Sequence, residues 1–409
     1  VVTPWIKMSS GNISFKHKLT SNGGSTFGTS KHLVVVRIKS DSSVIDTIYN
    51  HTYVSGQAGT TINVSINNAD TGVWKYAFRF TGLGGTGRGL IDDISFPAVY
   101  HSDPTNNCLP LNNNPDADAD GVADADDAYP NDFNRAYNNF FPGSGYSTLM
   151  FEDLWPAKGD YDFNDLVVDY KINRVTNASN NVVEIKAEFK LRAIGGSLSN
   201  GFGFKFDGIA PNKITSVSGN IIKPGSNLVF ANNGTENNQT DAVFIVFDDA
   251  FHVMPSPGGS GVNVVQGNPT VDPVTINMTI TLINNGTAPS GGTVALSSMG
   301  TDKFNPFLIV AQNRGREVHL PGFAPTDLVN SNLFGTDDDR TNPSAGNYYK
   351  TANNLPWAIN CVQSIPYMHE KNDLTTGYLK FIDWVSSNGT SYTDWYLNNS
   401  GYRDANKIY

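Results

Sequence analysis

Glutamate is nearly missing from this 409-residue chain: Glu152, Glu184, Glu188, Glu236, Glu317 and Glu370 are the only six among 38 acidic residues. The rest are aspartates, which form helices and strands poorly but make good loop ligands for hard cations. Lysine and arginine together number only 28, and the net charge of −10 excludes the basic footprint of a nucleic-acid binder. No apolar run approaches the roughly 20 residues that a membrane-spanning helix needs. Charged residues make up 16% and aromatics 11%, too aromatic and too weakly charged for a disordered chain. The abundance of Gly, Asn, Ser and Thr argues against a helical bundle.

Cysteine is equally scarce. Cys108 and Cys361 are the only two, and neither sits in a Cys-x-x-Cys pair, so zinc and thioredoxin-type readings fail. Two lone cysteines are compatible with free thiols or with one long-range disulfide, and the extracellular look of the composition favours the bond. The sequence begins at Val1 without an initiator Met or a charged-then-apolar leader, as expected of a mature product whose signal has been removed. The strand-like start at Trp5 makes the first domain look truncated upstream.

Catalytic signatures are missing too. The seven histidines include no pair at metal-ligand spacing, and there is no Gly-x-Ser-x-Gly elbow and no Gly-x-x-x-x-Gly-Lys-Ser/Thr phosphate loop. Glu184 and Glu188 suit a glycosidase poorly. On a strand they stand roughly 13 Å apart, beyond the usual carboxyl separation. The expectation is a protein that is not an enzyme.

What is present is β pattern. Residues 1–100 carry short alternating or buried-type runs at 15–19, 33–38, 61–66, 74–80 and 90–96, separated by Gly/Ser/Asn clusters. Strands at this spacing predict an antiparallel sandwich. From 101 to 138 prolines punctuate a stretch dense in Asn and Asp, which reads as a linker. Beyond 139 the β pattern resumes. Residues 183–192 alternate for ten positions, which puts Glu184, Lys186, Glu188, Lys190 and Arg192 on a solvent face. Further strands are expected at 166–172, 202–206, 227–231, 242–248, 274–283 and 305–312. A helix is expected only over 374–387, where Leu374, Tyr378, Phe381, Ile382 and Val385 recur at 3–4 spacing.

The acidic linker holds the sharpest motif. Asp116, Asp118, Asp120, Asp124 and Asp127 occupy positions 1, 3, 5, 9 and 12 of a twelve-residue loop, with Gly121 at position 6. Alternate Asp side chains converge on one point only if the backbone curls tightly, which Gly121 permits, and Val122 would lend its carbonyl. Without a cation so many carboxylates repel one another strongly. Asp124, Asp126 and Asp132 are candidates for a second ion. Pro115 and Pro130 bracket the loop, so no EF-hand helices can abut it. The loop instead resembles a thrombospondin type 3 repeat, which implies Ca²⁺ wrapped by an Asp-rich segment with little regular structure. A second acidic constellation comprises Glu152 and Asp153, then Asp160, Asp162, Asn164 and Asp165, ahead of the apolar run Leu166-Val167-Val168. Calcium is the economical counter-charge there; Asx-turn caps without metal are the alternative. The triplet Asp337-Asp338-Asp339 before Arg340 reads as an Arg-paired solvated turn, with a further ion site as the alternative.

Several motifs carry a wider resemblance. Gly87-Arg88-Gly89-Leu90-Ile91-Asp92-Asp93-Ile94 resembles the ending of the galactose-binding-like jelly-roll modules of bacterial surface proteins. Phe151-Glu152-Asp153-Leu154-Trp155-Pro156, Gly159-Asp160-Tyr161-Asp162-Phe163-Asn164-Asp165-Leu166-Val167 and Gly201-Phe202-Gly203-Phe204 resemble the LruC-type domain of bacterial envelope proteins. So do Phe334 to Asp338, Leu355 to Asn360 and Tyr392 to Tyr396, and the resemblance runs from about 140 to 409. It implies an exported lipoprotein or surface-attached protein of Gram-negative bacteria, with no assigned activity. Cys361, after Trp357-Ala358-Ile359-Asn360, departs from that pattern, and a bond to Cys108 would be a local addition.

The expected fold is therefore mostly β, in three parts. Residues 1–100 form a jelly-roll-like sandwich, 101–138 a calcium-binding linker, and 139–409 a larger LruC-type β-sandwich domain with little helix. The expected function is that of a secreted or cell-surface, calcium-binding structural or adhesin-like protein, with calcium stiffening the interdomain joint and self-association or a surface assembly as its context. The alternative is a carbohydrate-binding surface protein whose N-terminal sandwich stacks glycan on Trp5, Tyr49, Tyr53 or Trp74, against ordinary packing of these rings.

Overall fold

Alternation of apolar and polar side chains sets the strands of the first part of the chain. The computed structural model describes residues 1–3, 5–21, 31–39, 45–54, 59–81, 87–100, 115–284 and 292–409. By its contacts the chain divides into two units, Val1–Asn113 and Asn114–Tyr409. Residues 115–138 therefore go with the second unit, while 101–114, and Cys108 with them, lie outside the described residues.

In the first unit the strands are β1 (Ile6–Met8), β2 (Gly11–Ser21), β3 (Lys31–Lys39), β4 (Ile45–Tyr53), β5 (Thr61–Asn68), β6 (Gly72–Thr81), β7 (Gly87–Ser95) and β8 (Ala98–Tyr100). They form a five-stranded sheet in the order β4-β3-β6-β1-β8 and a three-stranded sheet in the order β5-β2-β7. Every pairing is antiparallel, and β1 with β8, β3 with β6 and β2 with β7 join strands distant in sequence, in the jelly-roll manner. Period-two alternation turns Trp74, Tyr76 and Phe78 of β6 inward. There they meet Ile13, Phe15 and Leu19 of β2 in one core, with Phe15 edge-on to Phe78.

The second unit contains β9 (Phe140–Phe141), β10 (Ser147–Phe151), β11 (Leu166–Thr176), β12 (Asn181–Ala193), β13 (Gly201–Phe206), β14 (Ile214–Ser218), β15 (Val243–Phe247), β16 (Val274–Leu282), β17 (Val294–Ala295), β18 (Phe304–Ile309), β19 (Glu317–His319) and β20 (Ala358–Cys361). Its larger sheet runs β14-β16-β12-β11-β10-β20, with β17 on β12 and β9 on β11, and its smaller sheet runs β15-β13-β18-β19. Phe189 and Leu191 of the first sheet pack against Phe202, Phe204, Phe244 and Phe304 of the second. This is again a mostly β, sandwich-type arrangement.

One end of the larger sheet is buried on both faces. Met150, Val167, Ile359 and Cys361 form a second core with Leu374, Tyr378, Phe381 and Trp395 of the C-terminal segment. That cover explains why all five residues of β10 and nearly all of β11 are buried, where an antiparallel strand ordinarily alternates. Cys361 is buried and bonded to no other cysteine among the described residues, burial raises its thiol well above its ordinary pKa, and Cys108, its partner in the expected disulfide, lies outside the described residues.

The helix expected over 374–387 is instead two short pieces. After α1 (Ala250–Val253), α2 (Leu374–Gly377) and α3 (Phe381–Ser386) are separated where Leu379 N–H donates to Tyr402 and Tyr378 bridges Arg403. Tertiary hydrogen bonds there outcompete helix propagation, although Leu374, Tyr378, Phe381 and Val385 are all buried as the spacing required. Ile382 is exposed. No strand forms over 227–231 either; Phe230 makes only an isolated bridge to Glu236. The strand expected over 305–312 stops at Ile309, because Ala311 and Gln312 take left-handed φ. Among the described residues no helix is long and apolar enough to cross a membrane.

Candidate metal centres

The Asp-rich loop curls as its spacing demands. Ala119 and Gly121 both adopt left-handed φ, which turns the chain back on itself between the aspartates. Gly121 N–H donates to Asp116 Oδ2 at 3.1 Å, Asp120 N–H to Asp118 Oδ1 at 3.2 Å, and Val122 N–H to Asp120 Oδ1 at 2.7 Å. At the far end Tyr129 N–H donates to Asp127 Oδ1 at 2.6 Å. Each carboxylate thus spends one oxygen on the backbone. The other oxygens, Asp116 Oδ1, Asp118 Oδ2, Asp120 Oδ2 and Asp127 Oδ2, are buried and have no partner.

Buried carboxylate oxygens without donors are costly. Ligand oxygens of Asp116, Asp118 and Asp120 all lie within 4.8 Å of one another. Two oxygens on opposite sides of a calcium ion, each at about 2.4 Å, sit about that far apart. Asp120 is raised above its ordinary pKa by burial and by Asp118, Asp127 and Asp116, so the charges crowd one place. The donor set that the loop shows is carboxylate oxygen throughout, which suits Ca²⁺.

The remaining linker candidates go elsewhere. Asp124 Oδ1 accepts from Ala117 N–H at 2.7 Å. Asp126 is exposed. Asp132 pairs with Arg135 and is held below its ordinary pKa, first by Asn134 N–H and then by Arg135. Arg135 also reaches Glu184, and Ala136 N–H donates to Thr176 at 2.7 Å, which fastens the segment to β11 and β12.

The second constellation is the connection between β10 and β11. Glu152 follows β10 directly and is fully buried. Its Oε1 accepts from Phe163 N–H at 2.6 Å, while Oε2 is buried without a partner. Gly159, in the left-handed region, closes against that free oxygen: a Cβ there would stand 2.8 Å from it. Tyr161 and Phe163 also have positive φ, a strained state for aromatic residues that persists only when the surroundings impose it. Their rings pack into the C-terminal core while Asp160, Asp162 and Asn164 alternate with them. Oxygens of Glu152, Asp160 and Asp162 lie within 4.8 Å of one another, with Asp160 exposed and the other two buried.

Burial and the neighbouring acids, Asp165 and Asp162 foremost, push the Glu152 carboxyl well above its ordinary range. Asp162 is pushed up to about 7 by burial and Asp160. Its oxygens accept from Asn164 N–H, Asn164 Nδ2 and Lys371 N–H. Asn164 Oδ1 is buried without a partner. Asp153 and Asp165 form a neighbouring pair instead: Asp153 N–H donates to Asp165 Oδ2, and Asn200 Nδ2 to Asp153 Oδ2.

Sequence reading missed Glu370. Its carboxyl is raised by burial and by Asp160, and it acts electrostatically on Asp162 from more than 200 residues away. Nothing in its local sequence marks it. Of the Asp337–Asp339 turn, Asp339 is buried and accepts from Gly335 N–H and Thr341 N–H, while Arg340 donates to main-chain carbonyls rather than to carboxylates. Of the four candidate stacking rings, Tyr53 and Trp74 are core. Tyr49 is hydrogen-bonded to His17, and Trp5 lies beneath Lys75.

Fold and sites together define a two-unit antiparallel β protein that carries oxygen-rich acidic turns. Over residues 180–396 the chain matches the family described as Domain of unknown function (DUF4842). The match takes in more than half of the chain, and the protein belongs to that family. Both acidic constellations begin upstream of the matched span, and Glu370 falls inside it. The chain is also similar to a solved structure described as a "putative lipoprotein from Bacteroides ovatus", at 16% identity and a TM-score of 0.50, over 97% of this chain and 98% of that one. At that identity the likeness is one of fold. No curated protein matches the chain.

Proposed function

We propose that this protein is a calcium-stabilised, non-enzymatic structural or adhesin-like component of the bacterial cell surface. The observation that carries the calcium reading is the set of unpartnered buried oxygens on Asp116, Asp118, Asp120 and Asp127. Calcium bound there stabilises the folded chain by mass action, by about 2.7 kcal/mol when free calcium is 100 times the Kd. It also makes rigid, and resistant to proteases, the segment with which the second unit begins. The surface reading draws on the fold shared with a protein described as a lipoprotein and on the resemblance to LruC-type envelope domains. Self-association or a surface assembly is the context that suits a protein of this kind.

A thermal melt with limited proteolysis tests the proposal, first in millimolar calcium and then in excess EGTA. The expected result is a melting point lower by many degrees in EGTA, with new cleavage between residues 101 and 138. Unchanged melting and cleavage, together with no calcium by elemental analysis, would overturn it.

A further inference from the structure

We infer that Glu152, Asp160 and Asp162 form a second hard-cation site, distinct from the 116–127 loop, that fastens the C-terminal segment to the β10–β11 connection. The inference does not depend on the loop being occupied.

Glu152 carries the argument. It is fully buried, it holds one oxygen in place through Phe163 N–H, and its other oxygen has no donor. A carboxylate wanting only a hydrogen-bond cap would find one in a turn so rich in main-chain N–H groups. Glu152 Oε2 is instead walled by Gly159, the residue before Asp160, where any larger residue would fill the space. A small cation fits this arrangement, with Glu152 at the floor and exposed Asp160 at the mouth as the way in. The donors are all oxygens, which selects Ca²⁺ or a similar hard cation over zinc or copper.

The same turn also receives the C-terminal segment. Lys371 N–H donates to Asp162 Oδ2 at 2.7 Å and Leu374 N–H to Tyr161 O at 2.8 Å. Asn164 Nδ2 donates to Met368 O at 3.3 Å. These bonds bring Glu370 toward acids that repel it, so docking is strongest when a cation neutralises the group. An ion here is therefore coupled to closure of residues 365–378 over β10, β11 and β20.

The test is calcium content per full-length chain, measured by elemental analysis after dialysis against defined calcium, for the wild type, Glu152→Gln and the double variant Asp118→Asn/Asp120→Asn. The expected result is one ion fewer in Glu152→Gln than in the wild type, with a separate, additive loss in the double variant. If Glu152→Gln keeps the wild-type count, the second site is overturned, and loss in the double variant alone leaves the loop reading standing. If the double variant keeps its ions while Glu152→Gln loses one, the loop reading fails and this one stands. Should Glu152→Gln fail to fold, hydrogen exchange of the wild type decides. Chelation is expected to speed exchange at the Phe163, Lys371 and Leu374 amides at least tenfold relative to β12 and β16. Equal protection with and without calcium at those amides would overturn the inference.

Discussion

The main-chain N–H of Phe163 donates to Glu152 Oε1 at 2.6 Å, a bond made in the core beneath the C-terminal segment. It fixes a buried carboxylate in one orientation and leaves its second oxygen facing Gly159.

That geometry makes two glycines behave differently. A Cβ at Gly159 meets Glu152 Oε2 at 2.8 Å and adds backbone strain, because φ is +74°. Gly121, at φ +101°, has open space around it. Gly121→Ala is expected to cost about 1–2 kcal/mol from the backbone alone. Gly159→Ala is expected to cost more and to lower calcium content, as urea melts and elemental analysis would read.

Charge removal in the Asp-rich loop has opposite signs with and without calcium. Asp120 stands among repelling neighbours, so Asp120→Asn relieves the metal-free protein and weakens the metal-bound one. The variant is expected to melt lower than wild type in millimolar calcium and at or above it in EGTA. Differential scanning calorimetry in the two buffers checks this, and a loss of equal size in both would remove calcium from the explanation.

A buried charge network in the smaller sheet predicts acid sensitivity. Burial alone would raise Glu317, but His319, Arg314 and Thr326 outweigh it and hold the carboxyl down to about 2. A carboxyl whose folded pKa lies below its unfolded value contributes stability that is complete above the unfolded value, near 4.5, and is lost as pH falls through about 2. Arg314 also pairs with Glu236, so Arg314→Met takes the guanidinium from two buried acids at once and is expected to cost about 3–5 kcal/mol at neutral pH. Chemical denaturation of both proteins between pH 2 and 7 should show the wild type losing stability below about pH 4.5 and the variant losing less.

Trp395 tests whether the C-terminal cover is integral to the fold. It is buried against Tyr378, Phe381 and Trp384. Trp395→Ala is expected to cost about 3–5 kcal/mol and to expose Cys361 to thiol reagents. Unchanged thiol reactivity with unchanged stability would mean that this segment is an appendage.

The features legible in the sequence were those written in short-range spacing. Alternation at 183–192 fixes which face of β12 is core, because strand period is two whatever the strand pairs with. Asp116, Asp118 and Asp120 converge because Gly121 and the Asp spacing act within one turn of chain. The helix over 374–387 was the opposite case: its apolar face is right except at Ile382, but the hydrogen bond from Leu379 N–H to Tyr402 O breaks it, and 3.6-residue periodicity holds no information about a partner 23 positions away. Tyr53 and Trp74 became core only because two sheets close on them. Sequence placed Glu152, Asp160 and Asp162 in one acidic stretch; the tertiary structure buried Glu152, freed one of its oxygens and brought in Glu370 and Lys371. Local spacing sets where a chain turns and which side chains share a face. Which buried oxygen lacks a donor depends on every segment that packs around it, and only the closed fold decides that.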